Sequence, residues 1–223
     1  KSKKYQITTA LYFEYLEFSL KECILHHDFS NTLKARISVE IGCGMAHLHH
    51  RGMIIHDLNL NRIKLNGVFN AKIVSFGIYD LSSIIENDDI EKDADQDEAL
   101  MFQSPEFVSK KEFDNKIDIY SYGILLYYIF VGNIPKQSLQ DKIDGKPIKL
   151  TNPSNSISSY CLDVVRKCTS FNPKDRPTMD EILSELRDHS YNLAPEIESE
   201  AVLARHRALN RFESTHRPVY QFS

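Results

Sequence analysis

Long apolar runs are missing from this chain. The longest, Ile124-Leu125-Leu126-Tyr127-Tyr128-Ile129-Phe130-Val131, is too short to span a bilayer, and the basic start Lys1-Ser2-Lys3-Lys4 is not followed by a signal-peptide core. No membrane or secretory route is indicated, so a cytoplasmic location is expected. Cysteine is scarce as well: Cys23, Cys43, Cys161 and Cys168 show no close ligand-type pairing. Cys161 and Cys168, seven apart, would share one buried helix face as reduced core thiols. There is no basic stripe, and a net charge of −4 argues against nucleic acid as the main partner. Proteins or peptides are the expected partners. Low-complexity and disorder bias are absent too, and 223 residues with 42% hydrophobic and 26% charged side chains can bury one sizeable core. His47, His49 and His50 have no Cys or carboxylate at ligand spacing, so no metal site is expected there.

What is present is a series of ordered motifs. Gly52-Met53-Ile54-Ile55-His56-Asp57-Leu58 follows a helix-like run from Leu33 to His50, and Ser75-Phe76-Gly77 comes eighteen residues after Asp57. Ser104-Pro105-Glu106, Asp118-Ile119-Tyr120-Ser121-Tyr122-Gly123 and the turn Cys168 to Pro177 follow in that order. In order and spacing these resemble the large lobe of the protein kinases, whose landmarks are the His-Arg-Asp catalytic loop, Asp-Phe-Gly, Ala-Pro-Glu, a buried central helix and the turn before the last helices. The run Ala46-His47-Leu48-His49, the Ser-Pro-Glu variant and the Cys168 turn look most like the tyrosine-kinase-like group of serine/threonine kinases.

The resemblance begins at Leu11-Tyr12-Phe13-Glu14-Tyr15-Leu16, read as the last small-lobe strand running into the hinge, and ends near Ser190. It implies a mostly α, kinase-like α+β fold with a hinge strand and a small β-hairpin, the small lobe being largely missing. Residues 1–18 would be the remnant of that lobe, 19–190 the large lobe, and 191–223 a helical tail. Only Lys1 to Ala10 precede the hinge, without the Gly-rich loop, strand lysine and helix glutamate that clamp ATP phosphates in the family. Either the chain is a fragment of a longer protein, or the protein dispenses with a small lobe.

By resemblance, Asp57 is the catalytic-loop aspartate and the one catalytic group retained. Glu14 and Leu16 would supply the hinge backbone to a nucleotide. Other positions depart from the family. Asn59 stands in place of the lysine that steadies the transferred phosphoryl group, removing a positive charge. Arg62 replaces the metal-binding asparagine and Ser75 the metal-binding aspartate, so both magnesium ligands are lost. A one-residue slip would place Asn61 at the metal position, but the ungapped register sends Ile63 and Leu65 to one face of the next strand. Lys64 falls under the adenine position, where an ammonium is costly unless it snorkels out. His56 replaces the arginine that would hold a phosphorylated activation loop. Glu98-Ala99 replaces the Gly-Thr expected ahead of the Ala-Pro-Glu motif. The segment Asp80 to Glu98 is crowded with carboxylates against Lys92 alone. It reads as a solvated, mobile segment, with an acidic docking surface or a phosphate mimic as the other readings.

The structural positions of the resemblance are intact: Glu106 and Arg176 match a buried ion pair, and Asp118 matches the aspartate that holds the catalytic-loop backbone. Ser30-Asn31-Thr32 can cap a helix to about His50, and Asn66-Gly67 marks a hairpin between Ile63–Leu65 and Ala71–Val74. Helices are expected near Lys116–Val131, Ser156–Cys168 and Thr178–Asp188, with Pro135, Pro147 and Pro153 punctuating the connections. Tyr120, Tyr122, Tyr127 and Tyr128 read as core and interface aromatics. A further helix from Pro195 to about Arg211 would dock through Ala201, Val202, Leu209 and Phe212, with Arg205, Arg207 and Arg211 facing out, either onto the lobe or onto a partner.

Two functions follow. The first is a catalytically impaired, pseudokinase-like regulatory or scaffold module that binds proteins, one of them an active kinase, and needs no cofactor. The alternative is an active serine/threonine protein kinase using ATP and Mg, represented by its large lobe.

Overall fold

The computed structural model describes residues 16, 18–74, 94–152 and 155–215. A short strand β1 (Phe18–Ser19) leads into α1 (Leu20–His26), closed by a capping box in which Ser19 and Glu22 satisfy each other's backbone N–H. Helix α2 (Asn31–His49) follows, with the Ser30 hydroxyl accepting from Leu33 N. Strands β2 (Ile63–Leu65) and β3 (Ala71–Ile73) pair antiparallel, and β1 joins the other edge of β2 to give the order β1-β2-β3. The remainder is helical: α3 (Ala94–Phe102), α4 (Pro105–Val108), α5 (Lys116–Val131), α6 (Leu139–Ile143), α7 (Ser159–Cys168), α8 (Met179–His189) and α9 (Ser199–Thr215). The mostly helical kinase-like fold expected above is thus found. Among the described residues no helix is long and apolar enough to cross a membrane.

Helix α5 is the core. Every residue from Ile117 to Phe130 is buried, so the helix is covered on all sides and has no polar face. Its tyrosines are core residues, as expected, and two of their hydroxyls are spent on backbone: Tyr122 donates to Ser38 O at 3.0 Å and Tyr127 to Thr151 O at 2.7 Å. Cys161 and Cys168 are free and fully buried, and burial pushes both thiols up, Cys168 to about 12, which leaves them unreactive at neutral pH. Helix α7 approaches α5 closely because Gly123 has no side chain: a Cβ there would lie 2.7 Å from Cys168 Cβ and 2.9 Å from Thr169 Cγ2. Gly123→Ala is therefore expected to lower the unfolding free energy by about 1–3 kcal/mol through overpacking, read from the midpoint of urea unfolding.

Several boundaries differ from expectation, each for a local reason. Helix α7 starts at Ser159, not Ser156, because the Ser158 hydroxyl accepts from Cys161 N as N-cap while the Asn152 amide donates to Ile157 O. The β2–β3 connection is not a two-residue Asn-Gly turn. It runs from Asn66 to Asn70, with Asn66 Oδ1 accepting from Val68 N and Asn70 N, and its left-handed residue is Phe69 (φ 57°), not Gly67. Phe69 is held there by edge packing on Phe29 and His27 and by Arg36, which donates to Val68 O and Phe69 O.

The tail helix also starts late, at Ser199. Residues 195–198 are tied instead to the start of α2, with Asn31 Nδ2 donating to Pro195 O, Glu198 N donating to Thr32 Oγ1, and Glu196 left-handed (φ 58°). Helix α9 lies on the lobe, against α2. Val202 and His206 are buried there, Ala201 is exposed, and the side chains of Arg211 and Phe212 lie outside the described residues. Arg205 does not face out as expected. Its Nε is 2.6 Å from Oε1 of Glu40, a buried carboxylate that also accepts from Ala71 N, so one side chain ties α2, β3 and the tail together. Arg36 Nε lies 3.6 Å from the same oxygen, so two guanidiniums offset the cost of burying this charge.

Candidate active site

The segment between α2 and β2 is built around an aspartate from the core. Asp118, fully buried in the first turn of α5, accepts from Ile55 N (2.8 Å) and His49 Nε2 (2.9 Å) through Oδ2, and from His56 N (3.0 Å) through Oδ1. This triple anchor fixes His56 in a left-handed conformation (φ 68°), a sparsely populated region for a side-chain-bearing residue. The His56 ring stands edge-on to Phe113 at 5.4 Å, and Phe113 in turn contacts Phe107. Its buried Nδ1 has no hydrogen-bond partner among the described residues. His50 is turned outward to Asp180 at 2.8 Å, so His49 and His50 are each committed to a carboxylate.

Asp57, the expected catalytic residue, follows directly and is half-buried. Both of its carboxylate oxygens are occupied. Arg62 reaches Oδ2 with Nε and Nη2, each at 2.8 Å, and Asn59 Nδ2 donates to Oδ1 at 2.6 Å. The sequence sets this up locally. Asn59 N-caps the single turn Leu60–Arg62 by accepting from Asn61 N, and that turn carries Arg62 back over Asp57 before β2 begins. Asn61, by contrast, is exposed, and Arg62 O accepts from Val74 N. Ile63 and Leu65 are buried on one face of β2 while Lys64 is half-buried on the other. Asn59 and Arg62 thus act on Asp57 directly, a role that the motif comparison did not assign to them.

Arg62 stands where the resemblance places a metal ligand, and its guanidinium, a permanent cation with no acceptor, lies on Asp57 instead. Of the expected hinge pair, Leu16 is half-buried just ahead of β1, and Glu14 lies outside the described residues, as does Ser75-Phe76-Gly77. Residues 80–93 of the acidic segment lie outside the described residues, and from Ala94 on it is helical. Glu98 in α3 pairs with Lys21 of α1 at 2.8 Å.

Two buried cations fasten the segment after α3 to the lobe. Arg176 uses all five of its donors: two on Glu106 (2.6 and 2.8 Å) and one each on the carbonyls of Lys116, Ser170 and Phe171. Burial pushes the Glu106 carboxyl up, but the hydrogen bonds and charge of Arg176 outweigh it and hold the group below the usual carboxylate range. Lys142, only 2% exposed, was not singled out by the sequence. Its ammonium donates to the carbonyls of Leu100 (3.0 Å), Met101 (2.9 Å) and Gln103 (2.8 Å). Burial pushes its pKa down to about 7, while the three carbonyl acceptors, matched by the three N–H groups of the charged form, favour protonation. A lysine in the five-residue helix α6 has no periodic pattern that would mark it as buried.

Comparison with known proteins agrees with this geometry. The protein kinase domain profile matches residues 2–187. The chain is 26% identical over 158 residues to a serine/threonine/tyrosine-protein kinase of Arabidopsis thaliana, a match covering 69% of this chain and 39% of that protein. It is 30% identical over 151 residues to a dual specificity protein kinase of Dictyostelium discoideum, covering 66% of this chain and 11% of that one. A probable cell cycle serine/threonine-protein kinase of Encephalitozoon cuniculi is 34% identical over 148 residues, covering 63% and 30% respectively. The matches therefore span well under half the length of these relatives.

Proposed function

Since the chain belongs to the protein kinase domain family, its function turns on what Asp57 can do, and we propose that it is a catalytically impaired, pseudokinase-like module of the tyrosine-kinase-like group. Its task in this reading is to bind proteins as a regulator or scaffold, without a nucleotide cofactor. The observation that carries this reading is the closure of Asp57 by Arg62 and Asn59. A general base must be reachable by a substrate hydroxyl, and here both oxygens of the aspartate already accept hydrogen bonds, one of them from the guanidinium that lies over it. The intact anchors at Asp118 and Arg176 support the second half of the proposal, because they preserve the shape of the lobe while the metal positions have changed.

The alternative is an active ATP- and Mg-dependent serine/threonine protein kinase, favoured by the printed names of the relatives above. A phosphotransfer assay with labelled ATP and either Mg or Mn, run on the wild type beside Asp57→Asn, separates the two. The expected result is no transfer above the level of the Asp57→Asn control. Transfer that depends on Asp57 would establish the enzyme reading instead.

A further inference from the structure

Although the sequence has no basic stripe, the fold gathers one. Two adjoining cavities of about 590 and 470 Å³ flank α6 and the extended segment 146–150, and they share Gln137, Lys146 and Pro147 as common walls. Lys136, Lys146 and Lys149 line the first against Asp141 alone, and Arg166 borders the second opposite Asp175. Lys146 is matched by Asp141 at 2.5 Å, while Lys136 and Lys149 are exposed and have no ion pair among the described residues. The groove therefore carries an excess of positive charge on a chain whose net charge is −4.

Two further features bear on what it would hold. The groove is lined by Met101, Pro147, Ile148 and Leu150, and Phe171 at its edge is 48% exposed, so its surface is apolar as well as basic. Between the cavities, Gln137 donates through Nε2 to Lys146 O at 2.7 Å, which holds the segment 146–150 as their common wall. Apolar side chains beside lysines suit a peptide, which carries both carboxylates and apolar groups, better than a phosphate backbone.

We propose that this groove is a docking site for an extended acidic peptide whose carboxylates meet Lys136 and Lys149 and whose apolar residues lie on Pro147 and Phe171. The site is remote in sequence from Asp57, so it stands whether or not the chain transfers phosphate.

The test is fluorescence anisotropy on the intact chain with a labelled peptide of alternating glutamate and valine, and with its glutamine–valine counterpart. The acidic peptide should bind at least about tenfold more tightly than the neutral one. The paired charge reversal Lys136→Glu with Lys149→Glu, at exposed positions and with unchanged melting temperature, should weaken it by a similar factor. Binding of neither peptide, equal binding of the two, or indifference to the charge reversal would overturn the proposal. A single-stranded oligothymidine that binds more tightly than the peptide with the same lysine dependence would also overturn it, in favour of a general polyanion surface.

Discussion

Arg176→Met is expected to lower the unfolding free energy by about 3–5 kcal/mol, the cost of leaving one half of a buried ion pair without its partner. The number rests on geometry. Arg176 is fully buried, and its removal strands the Glu106 carboxylate together with the carbonyls of Lys116, Ser170 and Phe171. Glu106 also gives the effect a pH signature. Its folded pKa is held below the unfolded value, so its contribution is fully present above the unfolded carboxylate pKa and is lost as pH falls through the folded one. The wild type should therefore lose part of its advantage over Arg176→Met in acid. The paired variant Glu106→Gln with Arg176→Met should recover part of the loss, since the stranded charge is then gone. Denaturant midpoints for the three proteins at neutral and acid pH check all three statements.

Asp118→Ala should cost about 3–5 kcal/mol, because it leaves the N–H groups of Ile55 and His56 and the ring of His49 without their acceptor in the interior. A second consequence separates it from an ordinary core defect. The bonds from Asp118 hold His56 left-handed, and His56 directly precedes Asp57. Without them the segment can relax toward ordinary backbone angles, and the Arg62–Asp57 contact should loosen with it. Asp118→Asn, which keeps one acceptor oxygen, should lose less. Denaturant unfolding gives the energies, and backbone amide exchange at Ile55 and His56 should rise more in the alanine variant than in the asparagine variant.

Positions that belong to a spaced motif or to a periodic, capped element were legible in the sequence, and side-chain contacts outside such patterns were not. Helix α5 has the expected ends because its apolar run stops at Gly132, a left-handed C-cap (φ 80°). The Glu106–Arg176 pair and the Asp118 anchor were legible because each belongs to a motif at fixed spacing. Arg62 was identified as a misplaced cation, yet its contact with Asp57 was not foreseen, since the turn capped by Asn59 decides where the guanidinium goes. Arg205 looked like a solvated face residue until α2 brought Glu40 beneath it. Lys142 and the basic groove escaped altogether: one is an isolated lysine with three carbonyl partners some forty residues upstream, and the other is assembled from residues scattered between Lys136 and Arg166.

We propose that no working metal–nucleotide site remains, since Arg62 covers Asp57 and stands where the resemblance places a metal ligand. The most direct test of this is the melting temperature of the chain across an ATP titration, first with magnesium and then with chelator. A ligand at about 100 times its Kd adds about 2.7 kcal/mol to the folded state, so binding would be visible. No shift under either condition is the predicted result. A rise in melting temperature that requires magnesium would contradict the account, because it would mean that the cation finds oxygen ligands in spite of Arg62.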